Sequence, residues 1–409
     1  MEQWRRAAPP PDASPYPSVR PANEVEAYRA ALGRYLDLPP ENVTLFWKGR
    51  IALYAILEAL GIGEGAEVLL PAFTCVVVPN AILYRGARPV YHEIEPATLH
   101  VDLSRLSERA TGRTRVLLAQ NTFGLAPPME ELREFAKARG LVLVEDCAHG
   151  FGGTYRGEKN GTAADVSFFS TQWNKPYSTG LGGIAVTRDP GIAAELRRIE
   201  SLAENPTPRE DAMLAALLKV RKIFSRPEVF TLAASAYRAL GRVGLVVGSS
   251  DAGETAGTAK PARFVKRLTA TQAAAGLREL ARIDAYTAHR RSIAEIYDAA
   301  LGRLGIARPM EPAGLRHTYL KYPVFVRERD RFVSEAASRG IAISDWFRSP
   351  IHPVTIGWEK WDYSAGSNPV AEEKSASIVN LPTQPGVTPR YARRVVDFLD
   401  RRRASLRSG

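Results

Sequence analysis

The sequence predicts an α/β protein with a large domain built on a mostly parallel sheet, followed by a smaller α+β domain. Three observations support this class. The chain of 409 residues exceeds one typical hydrophobic core. Short strand-like segments alternate with helical patterns, as in parallel sheets that carry helices on both faces. The composition, 45% hydrophobic and 24% charged, is that of a globular protein.

Helical periodicity dominates residues 24–36 and then 50–60. The predicted strands are apolar and rich in β-branched residues, and they are 67–72, 88–94, 114–120, 141–147, 166–170 and 182–187. The segment MEELREFAKARG, between the third and fourth strands, predicts an amphipathic helix that ends at Gly140. Further helical patterns follow at 192–203, 210–224 and 227–247. In such sheets ligands collect at the carboxyl ends of the strands.

The second region begins near Arg263 with a long helical pattern. A strand at KYPVFVRE, a helix at RFVSEAASRG and a strand-like GIAISDW follow, and this mixture predicts a small α+β domain. The sequence therefore predicts three parts. They are a proline-rich arm at 1–23, a large domain at 24–250 with an apolar helical insertion at 210–248, and a small domain at 251–409.

Composition also narrows the functional class. The six histidines and two cysteines show no metal-ligand spacing, so no metal is expected. The N terminus lacks the apolar segment of a signal peptide, no run approaches the ~18 apolar residues of a membrane span, and few cysteines favour a reducing cytoplasm. The net charge of +11 suits anionic ligands such as nucleotides and phosphates. Because the arginine-rich tail has helical spacing, we interpret it as a solvated helix face and expect no nucleic-acid partner.

One lysine, Lys175, lies in a polar loop between the strand-like segments VSFF and GGIAV. Asp146 and His149 lie where another predicted strand gives way to a loop, and Gly49 and Arg50 begin a helix whose N terminus offers N–H donors to a phosphate. An amine for a Schiff base, a carboxylate for a pyridine nitrogen and a phosphate site are what pyridoxal 5′-phosphate requires. Each signal alone is weak, and their combination is more specific.

Three segments carry a family resemblance, and they are PAFTCVVVPNAILYRGARPVYHEIEPATLHVD, VEDCAHGFGGTYRGEKNGTAADVSFFSTQWNKPYSTGLGG and LTATQAAAGLREL. The chain resembles the DegT/StrS family of sugar aminotransferases over about residues 24–400. These are fold-type I enzymes that use pyridoxal phosphate. The resemblance implies that Lys175 attaches the cofactor, that Asp146 keeps the pyridine nitrogen protonated, and that His149 lies beside the ring hydroxyl.

The resemblance also assigns residues to the phosphate and to the substrate. Further cofactor contacts are expected from Ser170, Gly49, Arg50 and Thr74. The expected substrate-facing residues are Trp346, Phe347, His352 and Arg267. Three positions differ from the family pattern. Arg50 replaces a hydroxyl residue, Cys75 stands where a stacking aromatic is expected, and Val265 replaces an asparagine that reaches the neighbouring subunit.

Each of these residues also has a purely structural interpretation. Lys175 would then be a surface lysine, Asp146 a capping carboxylate and His149 a hydrogen-bonded loop histidine. Arg50 is equally well explained as an ordinary residue of a helix N terminus. Cys75 and Cys147 are better explained as packing residues than as nucleophiles, and core packing explains the aromatic pair at 346–347 equally well.

The resemblance implies an aminotransferase that moves an amino group from glutamate or glutamine to a keto-sugar carried on a nucleotide. It also implies a homodimer, since sites in this fold are built at the subunit interface. The alternatives are sugar dehydration, transamination of a cyclitol or other non-sugar, and a non-catalytic binding protein on the same scaffold. The apolar segment 227–248 is either a packing or lid insertion or a helix that contacts a membrane surface.

Overall fold

The computed structural model describes residues 23–224 and 252–407. In these two ranges the helices are α1 Glu24–Leu36, α2 Gly49–Ala59, α3 Val77–Leu83, α4 Leu103–Arg109, α5 Met129–Arg139, α6 Pro190–Leu202, α7 Pro208–Phe224, α8 Ala252–Ala256, α9 Ala270–Leu280, α10 Ile283–Leu304, α11 Arg329–Ser338, α12 Pro369–Ser377 and α13 Pro389–Arg401. The strands are β1 Val43–Phe46, β2 Glu67–Pro71, β3 Thr74–Cys75, β4 Arg88–His92, β5 Thr114–Gln120, β6 Val142–Asp146, β7 Thr154–Tyr155, β8 Glu158–Lys159, β9 Val166–Ser170, β10 Gly183–Thr187, β11 Leu315–Arg316, β12 Tyr322–Phe325, β13 Ile351–His352 and β14 Ile378–Leu381.

Seven strands form the main sheet in the order β1-β10-β9-β6-β5-β2-β4. The pairs from β9 to β4 are parallel, whereas β10 is antiparallel to both β9 and β1. All six strands predicted for this region are present, and the mostly parallel α/β class is confirmed. The sequence reading missed β1, a four-residue strand at the sheet edge.

Local signals explain the helix boundaries. The helix α5 has Glu130 and Glu131 in its first turn and Lys137 and Arg139 in its last, which complements the helix dipole. It ends at Gly140, whose φ of 62° lies in the left-handed region that glycine adopts most easily. The helix therefore ends where the sequence predicted.

Hydrophobic clusters separate two parts of the fold. The main sheet is buried between helices, and α9 packs with α1 in a cluster that includes Leu268, Ala273 and Ile283. A second cluster begins at Ile293 in α10 and is completed by β12, β14 and α13. Segment 268–283 thus shares a core with the main sheet, and the predicted domain boundary near residue 250 stays a prediction.

The predicted N-terminal arm, except for its last residue, and the apolar segment 227–248 lie outside the described residues. Residue 23 is the N-cap of α1, where the Asn23 side chain accepts a hydrogen bond from the Val25 N–H at 2.9 Å. None of the helices in 23–224 and 252–407 combines the length and hydropathy needed to cross a membrane.

Candidate active site

The candidate site lies at the carboxyl ends of β6 and β9, which are adjacent parallel strands. Asp146 ends β6, Ser170 ends β9, and the loop after β9 carries Lys175. Hydrogen bonds hold this loop closed at its base. Thr179 N–H donates to the Thr171 carbonyl at 2.9 Å, and the two threonine hydroxyls are 2.7 Å apart. The loop is therefore fixed relative to the strand that precedes it.

The Lys175 side chain points to a cluster of polar and aromatic groups. Its Nζ lies 5.3 Å from the ring centroid of Trp346. Burial lowers the pKa of Lys175 from its ordinary value, whereas the neighbouring Cys75 and the carboxylate of Asp146 act in the opposite direction. An amine with a lowered pKa is closer to the neutral form that attacks a carbonyl group.

Asp146 is buried, with 4% of its surface exposed. Burial raises its pKa to about 6, and the Ala148 N–H and the Lys175 ammonium limit the rise. Its Oδ1 accepts the Ala148 N–H at 2.8 Å, so Oδ2 remains to bind a further group. A cationic partner at Oδ2 would restore the charged form of this carboxyl.

His149 lies in a column of aromatic rings. Its imidazole is nearly parallel to Phe123, at 6.0 Å and 10°, and to Phe347, at 5.8 Å and 15°. Burial lowers its pKa well below the ordinary value, and the ammonium groups of Lys175 and Lys321 add to that effect. The imidazole is therefore neutral near pH 7, and its buried Nδ1 has no hydrogen-bond partner within the described residues.

The start of α2 lies against the end of β9. The N-cap, Lys48, makes no side-chain capping hydrogen bond at this helix end. Gly49 is in close contact with Ser170, because a Cβ at position 49 would lie 2.8 Å from the Ser170 Cβ. The structure thus brings together two of the residues that the sequence assigned to a phosphate, Gly49 and Ser170.

Arg50 makes a buried ion pair. Its guanidinium contacts Glu254, the central residue of α8, and the Glu254 side chain is only 2% exposed. The Glu254 carbonyl accepts a hydrogen bond from Asn80 Nδ2 at 2.8 Å, which ties α8 to α3. A carboxylate thus already binds the arginine that the sequence offered as a phosphate ligand, and that role stays a prediction.

Two short strands bring the late aromatic residues to the site. Thr74 and Cys75, in β3, pair in parallel with Ile351 and His352 in β13. The Thr74 hydroxyl is buried and has no hydrogen-bond partner among the described residues. This pairing places Trp346 beside both His352 and His149, with ring centroids 5.2 and 5.9 Å away.

Arg267 lies at the C-terminal end of α6. Its guanidinium donates to the carbonyl oxygens of Ser201 and Ala203, both at 2.8 Å. Cations at a helix C terminus interact favourably with its unpaired carbonyls. Within this chain Arg267 therefore stabilises the end of α6, and contact with a substrate stays a prediction.

The sequence reading missed Lys321, Phe123 and Glu254. Lys321 precedes β12, and its Nζ lies 5.4 Å from the Trp346 centroid, so it shares one indole with Lys175. The only sequence signal for Lys321 is a lysine at the start of the apolar run YPVFV. No local pattern marked the other two residues, since they reach the site only through the tertiary fold.

The family model of the DegT/DnrJ/EryC1/StrS aminotransferases matches residues 19–216 and 233–400. The chain is 29% identical over 359 residues to a GDP-perosamine synthase of Caulobacter vibrioides, covering 86% of this chain and 83% of that protein. It is 30% identical over 277 residues to an L-glutamine:2-deoxy-scyllo-inosose aminotransferase of Streptomyces kanamyceticus, covering 67% and 56%.

Among solved structures, S. venezuelae DesV in complex with a ketimine intermediate is similar at a TM-score of 0.69 and 26% identity, covering 92% of this chain and 94% of that one. The family match extends over most of the chain, including Asp146, Lys175 and the helix that Gly49 begins. The chain belongs to the DegT/DnrJ/EryC1/StrS aminotransferase family and is an aminotransferase of fold type I.

Proposed function

We propose that this enzyme uses pyridoxal 5′-phosphate and transfers an amino group to a keto-sugar carried on a nucleotide. One observation carries the proposal. The Lys175 amine and the buried Asp146 carboxyl influence each other's pKa in one site at the carboxyl ends of parallel strands. Amine and acid are the two groups that a pyridoxal enzyme needs for the aldehyde and for the ring nitrogen.

The remaining groups of the site fit the same cofactor. The N-cap residue of α2 makes no side-chain capping hydrogen bond, and the N–H groups of a helix N terminus favour a phosphate. Thr74 Oγ1 and His149 Nδ1 are buried polar atoms without a partner in the described residues, and a polar ring could satisfy both. When bound, pyridoxal phosphate supplies an electron sink for the carbanion that forms at the substrate carbon.

Each of the protein groups would then have a separate role. Asp146 Oδ2 would hold a proton on the ring nitrogen, because a buried anion and a cation favour each other's charged form. Lys175 Nζ, freed by the incoming amino donor, would move the proton from the donor α-carbon to the cofactor carbon in the first half-reaction, and from the cofactor carbon to the acceptor carbon in the second. The neutral His149 and its neighbouring rings would hold the cofactor ring in place and exclude water.

The relatives and the net charge of the chain support the proposed acceptor. A GDP-perosamine synthase is among the relatives, and a net charge of +11 suits a diphosphate-bearing sugar. Glutamate or glutamine is the proposed amino donor. We further propose a homodimer in the cytoplasm, in keeping with the two free cysteines, one buried and one partly so.

A cyclitol is the second candidate acceptor. It is favoured by the 30% identity to an aminotransferase named for 2-deoxy-scyllo-inosose. A cyclitol lacks the nucleotide, so competition by free GDP or dTDP separates the two acceptors. Inhibition by a free nucleotide supports the nucleotide-linked sugar, and no inhibition at millimolar nucleotide favours the cyclitol.

Borohydride reduction followed by peptide mapping tests the cofactor assignment. The label should appear on the peptide that contains Lys175, and the Lys175→Ala variant should lose it. Lys321→Met is the matched control, because it removes the other lysine beside Trp346 and should keep the label. Transfer of ¹⁵N from labelled glutamate or glutamine to the acceptor supports transamination, whereas ¹⁵N that stays on the donor contradicts it.

A further inference from the structure

Lys321 is a second lysine in the site, beside the same tryptophan ring as Lys175. Its Nζ donates to the Ser344 hydroxyl at a long 3.4 Å and otherwise lies against the Trp346 ring. Asp345, the nearby carboxylate, is engaged by Arg348 at 3.3 Å. Within residues 23–224 and 252–407, no carboxylate forms an ion pair with Lys321. An ammonium placed in this way is available to an anion that enters from outside.

The position of Lys321 indicates which anion. Lys175 and Lys321 lie 5.3 and 5.4 Å from the centroid of the same indole ring, and both ammonium groups lower the pKa of His149, so the two cations belong to one site. The α-carboxylate of an amino donor is bonded to the carbon that reacts. The diphosphate of a nucleotide sugar is separated from the reacting carbonyl by the sugar ring. Lys321 lies beside the ring that also contacts Lys175, so an anionic group next to the reacting carbon fits its position better than a diphosphate. The position of Lys321 therefore favours the α-carboxylate.

We propose that Lys321 binds the α-carboxylate of the amino donor and so positions its α-carbon beside Lys175. This assignment rests on the proposed function, because it presumes that an amino acid enters this site. The Trp346 ring lies against both lysines, and the Ser344 hydroxyl accepts a hydrogen bond from the Lys321 ammonium at 3.4 Å. During the second half-reaction the same ammonium can donate to a hydroxyl of the acceptor.

Binding of glutarate to the pyridoxal form of the enzyme tests the proposal without turnover. Glutarate carries the carboxylates of glutamate but has no amino group, so it binds without reacting. Lys321→Met keeps the length of the side chain and removes its charge. Loss of one charge-assisted contact should weaken glutarate binding by about 10- to 100-fold in calorimetry. Lys321→Arg should stay within about threefold of wild type, because the positive charge remains.

A matched control is Lys374→Met. Lys374 also lies against an aromatic ring, 4.4 Å from the Phe325 centroid, but outside the group around Lys175. It should bind glutarate like wild type. The donor half-reaction, followed by the change in the cofactor spectrum, should show a raised KM for glutamate in Lys321→Met with a smaller change in the rate at saturation.

The pH dependence gives a measurement that does not need the methionine variant to fold. Burial, Lys175 and Arg290 lower the pKa of Lys321, and Asp345 opposes them. The resulting pKa is about 8. The other titratable groups that face it are His149 and His352, whose pKa values lie below the ordinary range. Wild-type affinity for glutarate should therefore fall as the pH rises through about 8, and Lys321→Arg should not follow that fall.

Three results would overturn the assignment. The first is wild-type affinity for glutarate in a folded Lys321→Met. The second is a loss of affinity for GDP or dTDP instead of glutarate, which would give Lys321 to the diphosphate. The third is the same pH dependence in wild type and Lys321→Arg. Borohydride labelling at Lys175 in each variant separates these results from failure of the cofactor assignment.

Discussion

Replacement of Gly49 by alanine tests the contact that closes the phosphate end of the site. A Cβ at position 49 would lie 2.8 Å from the Ser170 Cβ, 3.1 Å from its Oγ and 3.2 Å from its Cα. Carbon atoms in contact ordinarily stay about 3.5–4.0 Å apart. Because one of the three atoms belongs to the backbone, α2 and β9 must move apart. Overpacking of this kind costs about 1–3 kcal/mol.

Urea denaturation with linear extrapolation measures this cost. Gly49→Ala should lower the free energy of unfolding by about 1–3 kcal/mol. Gly302→Ala is the matched control, because Gly302 is also helical and a Cβ there meets nothing within 4 Å. That variant should gain about 0.5–1 kcal/mol from the better helix propensity of alanine. The separated helix should also bind the cofactor phosphate more weakly, which a cofactor titration would detect.

A double variant isolates the contact itself. Ser170→Gly removes the two atoms nearest to the new methyl group, so Gly49→Ala with Ser170→Gly should be more stable than the sum of the single changes. The coupling energy should be about 1 kcal/mol or more. Additive single effects, or a Gly49→Ala variant that gains stability as Gly302→Ala does, would refute the close contact.

Three further predictions concern the charge of Asp146, the cap of α9 and the buried Arg29. In the cofactor-free protein the folded pKa of Asp146 is about 6, above its unfolded value, so the folded state holds the proton more tightly and stability falls as the pH rises from about 4 to 6. Asp146→Asn should remove about 3 kcal/mol of that fall in urea denaturation at several pH values, and identical pH profiles would contradict it. Thr269→Ala breaks the capping box with Gln272 at the start of α9 and should cost about 1 kcal/mol, measured by the urea midpoint, whereas an unchanged midpoint would show that the cap contributes nothing. Arg29→Met removes a buried guanidinium that contacts Glu200 at 2.8 Å and should cost about 3 kcal/mol, and a loss below 1 kcal/mol would argue against this pair.

Much of the fold was predictable because its signals are local. The apolar runs that form β5, β6 and β9 are buried along nearly their whole length, so hydrophobicity alone marked them. The strand β1 was not predicted because it has four residues and pairs with β10, which comes much later in the chain. Its sequence, VTLF, carries no signal for that pairing.

Some residues of the candidate site were likewise predictable from local sequence, and others were not. Asp146 and Lys175 were predictable because Asp146 ends one recognisable strand and Lys175 follows another, and polar residues at such strand ends meet at one edge of a parallel sheet. The partner of Arg50 was not, since Glu254 lies far along the chain and belongs to a helix of five residues. Lys321 was missed for a related reason, because a lysine at the start of an apolar run looks like an edge residue.

The sequence by itself determined the alternation of strands and helices, the lysine and acid at the strand ends, and the family to which the chain belongs. Only the tertiary structure decided that Arg50 pairs with Glu254, that Arg267 closes a helix, and that Lys175 and Lys321 share one indole. The physical reason is distance along the chain. Strand and helix patterns arise from neighbouring residues, whereas burial, pKa shifts and ion pairs depend on residues that only folding brings together.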